Sequence, residues 1–308
     1  MPTYYLMPEV AFKIGSLTVQ WYGIILTCAL LIALVYCLRE SKQIKLTSDD
    51  MIELFLWVVP LAVIMARLIY VIVRPDQYLP IKNWEDFVDF WAIWDGGITI
   101  IGAILGGAIG IGAYCAVRKK NFLKICDMIA PALVLAQALG RWGNFINQEA
   151  FGVEITNPSL QWLPFAVYID GFNAAAAGGF SSGWYAATFF YEMLWNLLGF
   201  ALFFVIWRKN KKVPGILLFT YFFWYFFARG FLEMIRLDAV VTDGGAKLTL
   251  IVSFIAAGIG AVAGVIYWIW GKKRFDAKEL KEKGPAACGI AGDISADVWG
   301  EVAEMECK

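Results

Sequence analysis

The chain has 308 residues, of which 60% are hydrophobic and 17% are charged, and its formal net charge is zero. Soluble domains usually carry about 25% charged residues, so the composition excludes an ordinary soluble protein and predicts an integral membrane protein. The zero net charge gives no sign of a nucleic-acid partner. The sequence lacks histidine, which excludes a histidine triad, a histidine metal site and a histidine general base. We expect neither a metal nor a cofactor.

Several apolar segments are long enough to form membrane-spanning helices, which need about 20 mostly apolar residues. They cover residues 18–38, 51–73, 96–117, 124–142, 185–207, 214–235 and 247–270. These segments are too long for strands. The sequence therefore predicts an all-α fold, a polytopic membrane helix bundle of about seven transmembrane helices. The transmembrane domain would cover residues 1–271, and residues 272–308 would form a cytoplasmic tail.

Lysine and arginine concentrate in alternate loops between these segments. Residues 39–50, 118–124 and 208–212 carry three or four each, whereas residues 142–207 carry none. By the positive-inside rule the N-terminus lies outside and the C-terminus lies in the cytoplasm. The longest external stretch is then 153–184, whose glycine, alanine and serine content predicts an external loop or head segment with flexible parts.

Glycines recur at four-residue spacing in two of the predicted spans. The third span contains Gly102, Gly106 and Gly110, and the seventh contains Gly260 and Gly264. Small residues at this spacing let helix backbones approach closely within lipid. We therefore interpret these glycines as packing positions between helices rather than as part of a site.

A few charged residues remain once the loops are set aside. A charge within the bilayer costs at least ~2.5 kcal/mol unless it is paired or hydrated, so each of them is a functional candidate. The ones that we single out are Arg67, Asp95, Arg141, Glu149, Glu192, Arg229, Glu233 and Arg236. Most lie toward the predicted external ends of their spans, and Arg67 lies nearer the middle.

The sixth span carries the clearest pattern of polar residues. Tyr225, Arg229, Glu233 and Arg236 follow each other at helical spacing and share one face. Arg229 and Glu233 could simply neutralise each other as an ion pair. The arginines outnumber the glutamate, however, and excess positive charge at a membrane interface favours an anion. Arginine suits a phosphate because its planar guanidinium donates paired hydrogen bonds.

The segment LGRWGNFINQEAFG, residues 139–152, places polar residues after a long apolar run. They are Arg141, Asn144, Asn147 and Glu149, among Gly140, Gly143 and Gly152. We expect the glycines to relax the backbone, and irregular backbone at membrane depth is tolerated beside a water-filled cavity. The segment therefore predicts a polar cavity with a second guanidinium. Each asparagine alone could be a loop cap, and Asp95 could be either a helix cap or part of the same cavity.

The residues GRWGNFINQEAFG resemble the signature of phosphatidylglycerol–prolipoprotein diacylglyceryl transferases. Further blocks similar to that family occur in family order: WYG in the first span, ARLIYV in the second, DGGITIIGAILGG in the third, FFYEMLWNLLGF in the fifth and YFFARGFLEMIRLD in the sixth. The resemblance covers residues 15–270, and the ordered combination makes it specific. The topology derived from the spans and loop charges agrees with that of the family.

The resemblance implies transfer of the diacylglyceryl group from phosphatidylglycerol to the lipobox cysteine thiol of a prolipoprotein that still carries its signal peptide. A thioether forms and glycerol phosphate leaves. The enzyme would lie in the bacterial cytoplasmic (inner) membrane with its site toward the outer leaflet. The implied partners are phosphatidylglycerol, the prolipoprotein and membrane lipids, and we expect a monomer.

The resemblance and the charges of the spans together indicate the site residues. Those expected to act in catalysis are Arg141, Arg229, Glu233, Tyr22, Tyr225 and Glu149. Those expected to bind phosphatidylglycerol are Arg141, Asn144, Asn147, Gly152, Arg236 and Arg67. The arginines would stabilise the negative charge of the departing phosphate.

Two positions depart from the family pattern. Ile101 stands where a histidine or tyrosine is often found, and Ala186-Ala187 replaces a frequent His-Pro pair. The acceptor of the thiol proton therefore stays open. The arginine cluster could lower the thiol pKa without a base, or Glu149 or Glu233 could accept the proton. We predict that Ile101 takes no part in proton transfer.

A transporter of an anionic or phosphate-containing solute is the main alternative, because intramembrane arginines and broken helices also mark anion carriers. Such proteins usually show two similar halves, and this sequence shows no internal repeat. A seven-helix receptor is a third interpretation, and it would bind a ligand without turnover. Transfer of a diacylglyceryl group to a lipobox peptide separates the enzyme from both.

Overall fold

The computed structural model describes residues 9–15, 17–93, 96–176, 178–209, 213–236 and 248–283. The chain divides into two compact units. The continuous unit covers Leu34–Met128, and the discontinuous unit combines Met1–Ala33 with Ile129–Lys308. Of the charged candidates, Arg67 and Asp95 belong to the continuous unit, and all others belong to the discontinuous unit. Asp95 and the end of the predicted tail, 284–308, lie outside the described residues.

Long apolar helices make up most of the described chain. Six of them are long and apolar enough to cross a membrane: α1 (Trp21–Glu40), α2 (Ser48–Val73), α6 (Phe122–Ile146), α8 (Thr188–Lys209), α9 (Ile216–Ile235) and α10 (Leu248–Lys283). The remaining predicted span corresponds to α5 (Ile100–Arg118), whose apolar part is shorter. The predicted polytopic membrane helix bundle is confirmed. The sidedness of the termini stays a prediction.

In the continuous unit, α2 and α5 pack closely through small residues. A Cβ added to Gly106 would lie 2.8 Å from the Cα of Ala62, and one added to Gly110 would lie 2.8 Å from the Cα of Val58. Neither position has room for a side chain, so the predicted packing role of these glycines is confirmed. Two short helices, α3 (Pro75–Tyr78) and α4 (Trp84–Trp91), lie between α2 and α5 in the chain.

In the discontinuous unit, α9 packs against both α8 and α10. Trp195 of α8 stacks on Trp224 of α9 with ring centroids 4.1 Å apart. On the other side of α9, a Cβ added to Gly260 of α10 would lie 3.2 Å from the backbone nitrogen of Phe223. Aromatic stacking and a small residue thus hold three neighbouring helices at close range, which fixes the positions of the polar groups on α8 and α9.

Two β-hairpins add to the predicted all-α bundle. β1 (Val10–Ile14) pairs antiparallel with β2 (Leu17–Gln20) directly before α1. β3 (Ala166–Ile169) pairs antiparallel with β4 (Gly183–Ala186), and α7 (Gly171–Ala176) lies between them in the chain. The composition of residues 153–184 predicts a loop. It does not predict β3, α7 and β4, because each of them is short and lies among alanines and glycines.

The second hairpin has its own apolar core. Phe151, Ile169, Tyr185 and Phe189 are almost fully buried and pack in one cluster. The aromatic and β-branched residues of β3 and β4 favour strands because they pack well on a pleated surface. The cluster packs the residues that follow α6 against the start of α8. It therefore holds the polar residues of these two segments close to each other.

Candidate functional site

The end of α6 carries the first part of the site. The helix continues to Ile146, so Arg141 and Asn144 lie on its last turns rather than in irregular backbone. The expectation that Gly140 and Gly143 relax the chain is wrong, because both are helical. The small size of Gly143 has another cause: a Cβ there would lie 2.7 Å from Cε2 of the Tyr22 ring. The glycine lets Tyr22 of α1 pack directly onto α6.

A tight turn after α6 directs Glu149 back toward the helix. Gln148 and Ala150, which flank it, both adopt left-handed backbone conformations, with φ of 49° and 58°. The amide of Glu149 donates to the carbonyl of Asn144 at 3.0 Å. Left-handed conformations are unfavourable for residues other than glycine, so the surrounding contacts must hold this turn.

A chain of hydrogen bonds joins Glu149 to Arg141. Nη1 of Arg141 donates to Oδ1 of Asn144 at 3.1 Å. Nδ2 of Asn144 then donates to Oε1 of Glu149 at 2.7 Å, and Nδ2 of Asn147 approaches the same oxygen at 3.4 Å. The four polar residues predicted from the signature segment therefore form one connected group.

Glu192 of α8 brings the two predicted arginines together. Nε of Arg141 lies 2.5 Å from one carboxylate oxygen of Glu192, and Nη1 of Arg229 lies 3.8 Å from the other. Nη2 of Arg229 also pairs with Glu233 at 3.3 Å, across one turn of α9. The guanidinium groups of α6 and α9 thus converge on a carboxylate from a third helix.

The charge balance of the site differs from the prediction. The sequence pattern of α9 predicts an excess of positive charge, but Glu192 supplies a further carboxylate that both arginines share. Glu192 itself can be recognised in the sequence, as a charged residue within a predicted span. Its partners are missed because they lie about 40 to 50 residues away along the chain, at Arg141 and Arg229.

Tyrosines border the polar group. Tyr22 lies near enough to Arg141 and Glu149 to interact electrostatically with both. Tyr225 stacks on Tyr221 with ring centroids 6.0 Å apart. The hydroxyl of Tyr221 accepts a hydrogen bond from Gln137 of α6 at 2.7 Å, which connects the tyrosine face of α9 to the helix that carries Arg141.

Gly152 and Arg236 meet through their backbones. They form an isolated antiparallel bridge, and the amide of Gly152 also donates to the carbonyl of Ala186 at 2.9 Å. A Cβ on Gly152 would lie 3.0 Å from both the carbonyl oxygen of Ile235 and Cγ2 of Thr188. Gly152 is therefore a close-packing position that ties the signature turn to the end of α9 and the start of α8.

Arg67 belongs to the continuous unit. It is fully buried, and its guanidinium donates to the carbonyl oxygens of Asp89, Phe90, Gly96 and Gly97 at 2.6 to 2.9 Å. These bonds to the residues between α4 and α5 indicate that it holds the connection in place. The side chain of Ile101 lies outside the described residues.

An apolar groove and a polar pocket flank the site in the discontinuous unit. The groove, of about 310 Å³, is lined by Tyr191, Trp195, Phe227, Ala228, Phe231 and Leu232 of α8 and α9. The pocket, of about 360 Å³, is lined by Glu9, Gln20, Asn147, Gln148, Glu149, Ala150, Asn173 and Ala176. Apolar and polar surfaces thus adjoin one charged centre, which suits an amphipathic ligand.

These features define a multi-pass membrane protein in which arginines from two helices share one buried carboxylate. The sequence profile of the prolipoprotein diacylglyceryl transferase family matches residues 9–270, and the chain belongs to this family.

Named relatives agree with this assignment. The phosphatidylglycerol–prolipoprotein diacylglyceryl transferase of Listeria innocua is 38% identical over 263 residues, which cover 83% of this chain and 89% of the relative. The enzyme of the same name from Listeria welshimeri is 39% identical over 257 residues, with the same coverage. That from Limosilactobacillus reuteri is 37% identical over 253 residues, covering 80% of this chain and 86% of the relative.

Proposed function

We propose that this chain transfers the diacylglyceryl group of phosphatidylglycerol to the lipobox cysteine thiol of prolipoproteins. Family membership and the names of its relatives support this transferase activity rather than the transport of an anion. The observation that carries the proposal in the structure is the convergence of Arg141 and Arg229, from separate helices, on one position. A phosphodiester bound beside the Glu192 carboxylate would lie close to both guanidinium groups.

The reaction is a substitution at a glycerol carbon. The thiolate sulfur forms a bond to the carbon, the bond from that carbon to the phosphate oxygen breaks, and its electron pair leaves with glycerol phosphate. Negative charge therefore grows on the departing phosphate. Arg141 and Arg229 are placed to stabilise this charge, and such preorganised donors are typically worth about 100- to 1,000-fold in rate each.

Glu192 positions the arginines without using all of their donors. A guanidinium carries five N–H groups, more than the contacts of Arg141 through Nε and Nη1 described above require. A lipid phosphate can therefore bind while Glu192 keeps both guanidinium groups in place. Glu192 is thus a further positioning residue of the site.

Glu149 is the acceptor that we assign to the thiol proton. Its side chain is exposed and fixed by Asn144, whereas Glu233 is almost fully buried and paired with Arg229. An exposed carboxylate can be approached by the substrate peptide, and a buried one cannot. The nearby arginines help by favouring the thiolate.

The protein is a multi-pass membrane protein, and we place the reaction in the bacterial cytoplasmic membrane at the outer leaflet. The lysines and arginines of the alternate loops support this orientation. The two substrates are phosphatidylglycerol and a prolipoprotein that still carries its signal peptide. We expect a monomer to be sufficient.

The test uses the purified full-length protein, phosphatidylglycerol vesicles and a lipobox peptide. A mass gain of one diacylglyceryl group on the peptide cysteine is expected, and it should fall at least about 100-fold in Arg229→Gln. The matched control is Arg118→Gln, because Arg118 forms an exposed ion pair with Glu53 on other helices and should keep full activity. A wild-type protein that leaves the peptide mass unchanged would contradict the proposal.

A further inference from the structure

The polar pocket beside the signature turn is built by three separate segments of the discontinuous unit. Glu9 and Gln20 come from the first hairpin, Asn147, Gln148 and Glu149 come from the turn after α6, and the remaining polar residue, Asn173, comes from α7. Its volume of about 360 Å³ lies in the range of about 300–1,000 Å³ typical of ligand pockets. Such a lining offers amide donors, amide acceptors and carboxylates, which can satisfy a peptide backbone.

The pocket begins where the proposed chemistry takes place. Glu149 lines it and also accepts a hydrogen bond from Asn144, which in turn binds Arg141. A substrate cysteine whose sulfur reaches the arginines therefore brings neighbouring residues of its own chain to the pocket.

The walls of the pocket are fixed by reciprocal hydrogen bonds. Oε1 of Gln148 accepts from the amide of Asp170 at 2.8 Å, and Nε2 of Gln148 donates to Oδ2 of Asp170 at 2.9 Å. Asp170 also accepts from the amide of Asn173 at 2.8 Å. On the opposite wall, the carbonyl of Glu9 accepts from the amide of Trp21 at 3.0 Å. A pocket held in this way is preorganised, which lowers the entropy lost on binding.

The charge and polarity of the pocket indicate which part of the two substrates it can bind. Glu9 and Glu149 line it, and no lysine or arginine does so among the described residues. A phosphate would be repelled, and an acyl chain would leave the polar groups without partners. The residues before the cysteine belong to a signal peptide with an apolar region, so the residues after it are the part of the substrate that suits this surface.

We propose that this pocket binds the first few residues on the C-terminal side of the acceptor cysteine, and that Glu9 makes it prefer a basic residue over an acidic one there. The inference rests on the proposed function, because it requires a lipobox peptide as substrate. Glu9 is thus a specificity-determining residue outside the predicted site.

The test measures kcat/KM for peptides that carry one lysine or one aspartate at each of the four positions after the cysteine. The wild-type protein should favour lysine at one or more positions. In Glu9→Lys the lysine-to-aspartate ratio should fall at least about tenfold there, because the substitution turns attraction for lysine into repulsion and repulsion for aspartate into attraction. Glu9→Gln should give an intermediate ratio.

The matched control is Glu154→Lys, which makes the same charge change at an exposed residue that does not line the pocket; its ratio should equal that of the wild type. A ratio in Glu9→Lys equal to the wild-type ratio at all four positions would overturn the inference while transfer itself still supports the proposed function. A changed KM for phosphatidylglycerol with an unchanged ratio would overturn it in favour of the lipid headgroup. A wild type that modifies none of the peptides would contradict the proposed function itself.

Discussion

Glu192 is only 10% exposed at its side chain, and it lies 2.5 Å from Arg141 and 3.8 Å from Arg229. Removing it leaves both guanidinium groups without their shared carboxylate in a region of low dielectric constant. Breaking a buried ion pair in this way typically costs about 3–5 kcal/mol. We therefore expect Glu192→Ala to lower the unfolding temperature markedly in detergent and to abolish transfer, as measured by thermal unfolding and by the peptide mass assay.

The control for this prediction is Glu53→Ala. Glu53 pairs with Arg118 at 2.8 Å, but the arginine side chain of that pair is 53% exposed, and such surface pairs are worth about 1 kcal/mol or less. Equal losses of stability in the two variants would show that the ion pairs of Glu192 contribute no more than the exposed pair of Glu53 and Arg118.

A substitution at Gly143 can test the packing of Tyr22 against α6. Because a Cβ at this position would lie 2.7 Å from the Tyr22 ring, Gly143→Ala should displace the ring and reduce kcat by about tenfold or more. Gly140→Ala is the matched control in the same helix, since its Cβ would lie 3.6 Å from Leu26, an ordinary contact. Steady-state kinetics should separate the two, and similar rates would argue against a role for Tyr22.

At the scale of elements, the connection between β3 and α7 holds the signature turn through Asp170. Burial would raise the pKa of this carboxyl, but hydrogen bonds from Asn173, Gln148 and the amide of Phe172 outweigh it and keep the pKa below the usual range. A depressed pKa stabilises the folded state when the carboxyl is ionised. The stabilisation is complete above the ordinary aspartate pKa of about 3.9 and is lost as the pH falls below it.

Asp170→Asn should therefore remove part of the acid sensitivity of the protein. We expect the wild type to lose more stability than the variant between about pH 5 and pH 3, as measured by thermal unfolding at each pH. At neutral pH the variant should be the less stable protein, because a side-chain amide cannot supply the ionised acceptor. Parallel pH profiles would contradict the assignment of this carboxyl as a support of the turn.

The contact between α2 and α5 depends on glycine at defined positions of α5. Gly106→Ala should destabilise the protein by about 1–3 kcal/mol, because its Cβ would meet the backbone of Ala62 and overpacking forces the helices apart. Gly112→Ala, in the same helix but with no atom within 4 Å of its Cβ, should be neutral or stabilising because alanine favours helix. Thermal unfolding of both variants gives the comparison. An unchanged unfolding temperature in Gly106→Ala would argue against the close packing of α2 and α5.

For the molecule as a whole, the loop charges predict an external N-terminus and a cytoplasmic C-terminus. In a variant without its six native cysteines, a membrane-impermeant maleimide should label Asn157→Cys in intact cells but not Lys119→Cys. Permeabilised cells, in which both positions should react, provide the control. Labelling of Lys119→Cys alone in intact cells would reverse the orientation and move the proposed reaction to the other leaflet.

The bundle could be predicted from the sequence because the apolar length of a span is a local property. The pair of Arg229 and Glu233 follows equally from spacing within one helix. The shared contact of Arg141 with Glu192 did not follow, because it depends on how α6 and α8 are packed. The hairpins were missed because strands of four or five residues leave little periodic signal.

The carboxylate shared by Arg141 and Arg229 also bears on product release. Once the thioether has formed, the glycerol phosphate that departs carries more negative charge than the diester that entered, and two unopposed arginines would retain it. Glu192 offsets part of this positive charge from a fixed position, so it weakens the hold on the product and on inorganic phosphate from the medium. A permanent internal carboxylate therefore favours turnover over trapping, and inhibition by free anions should be weak.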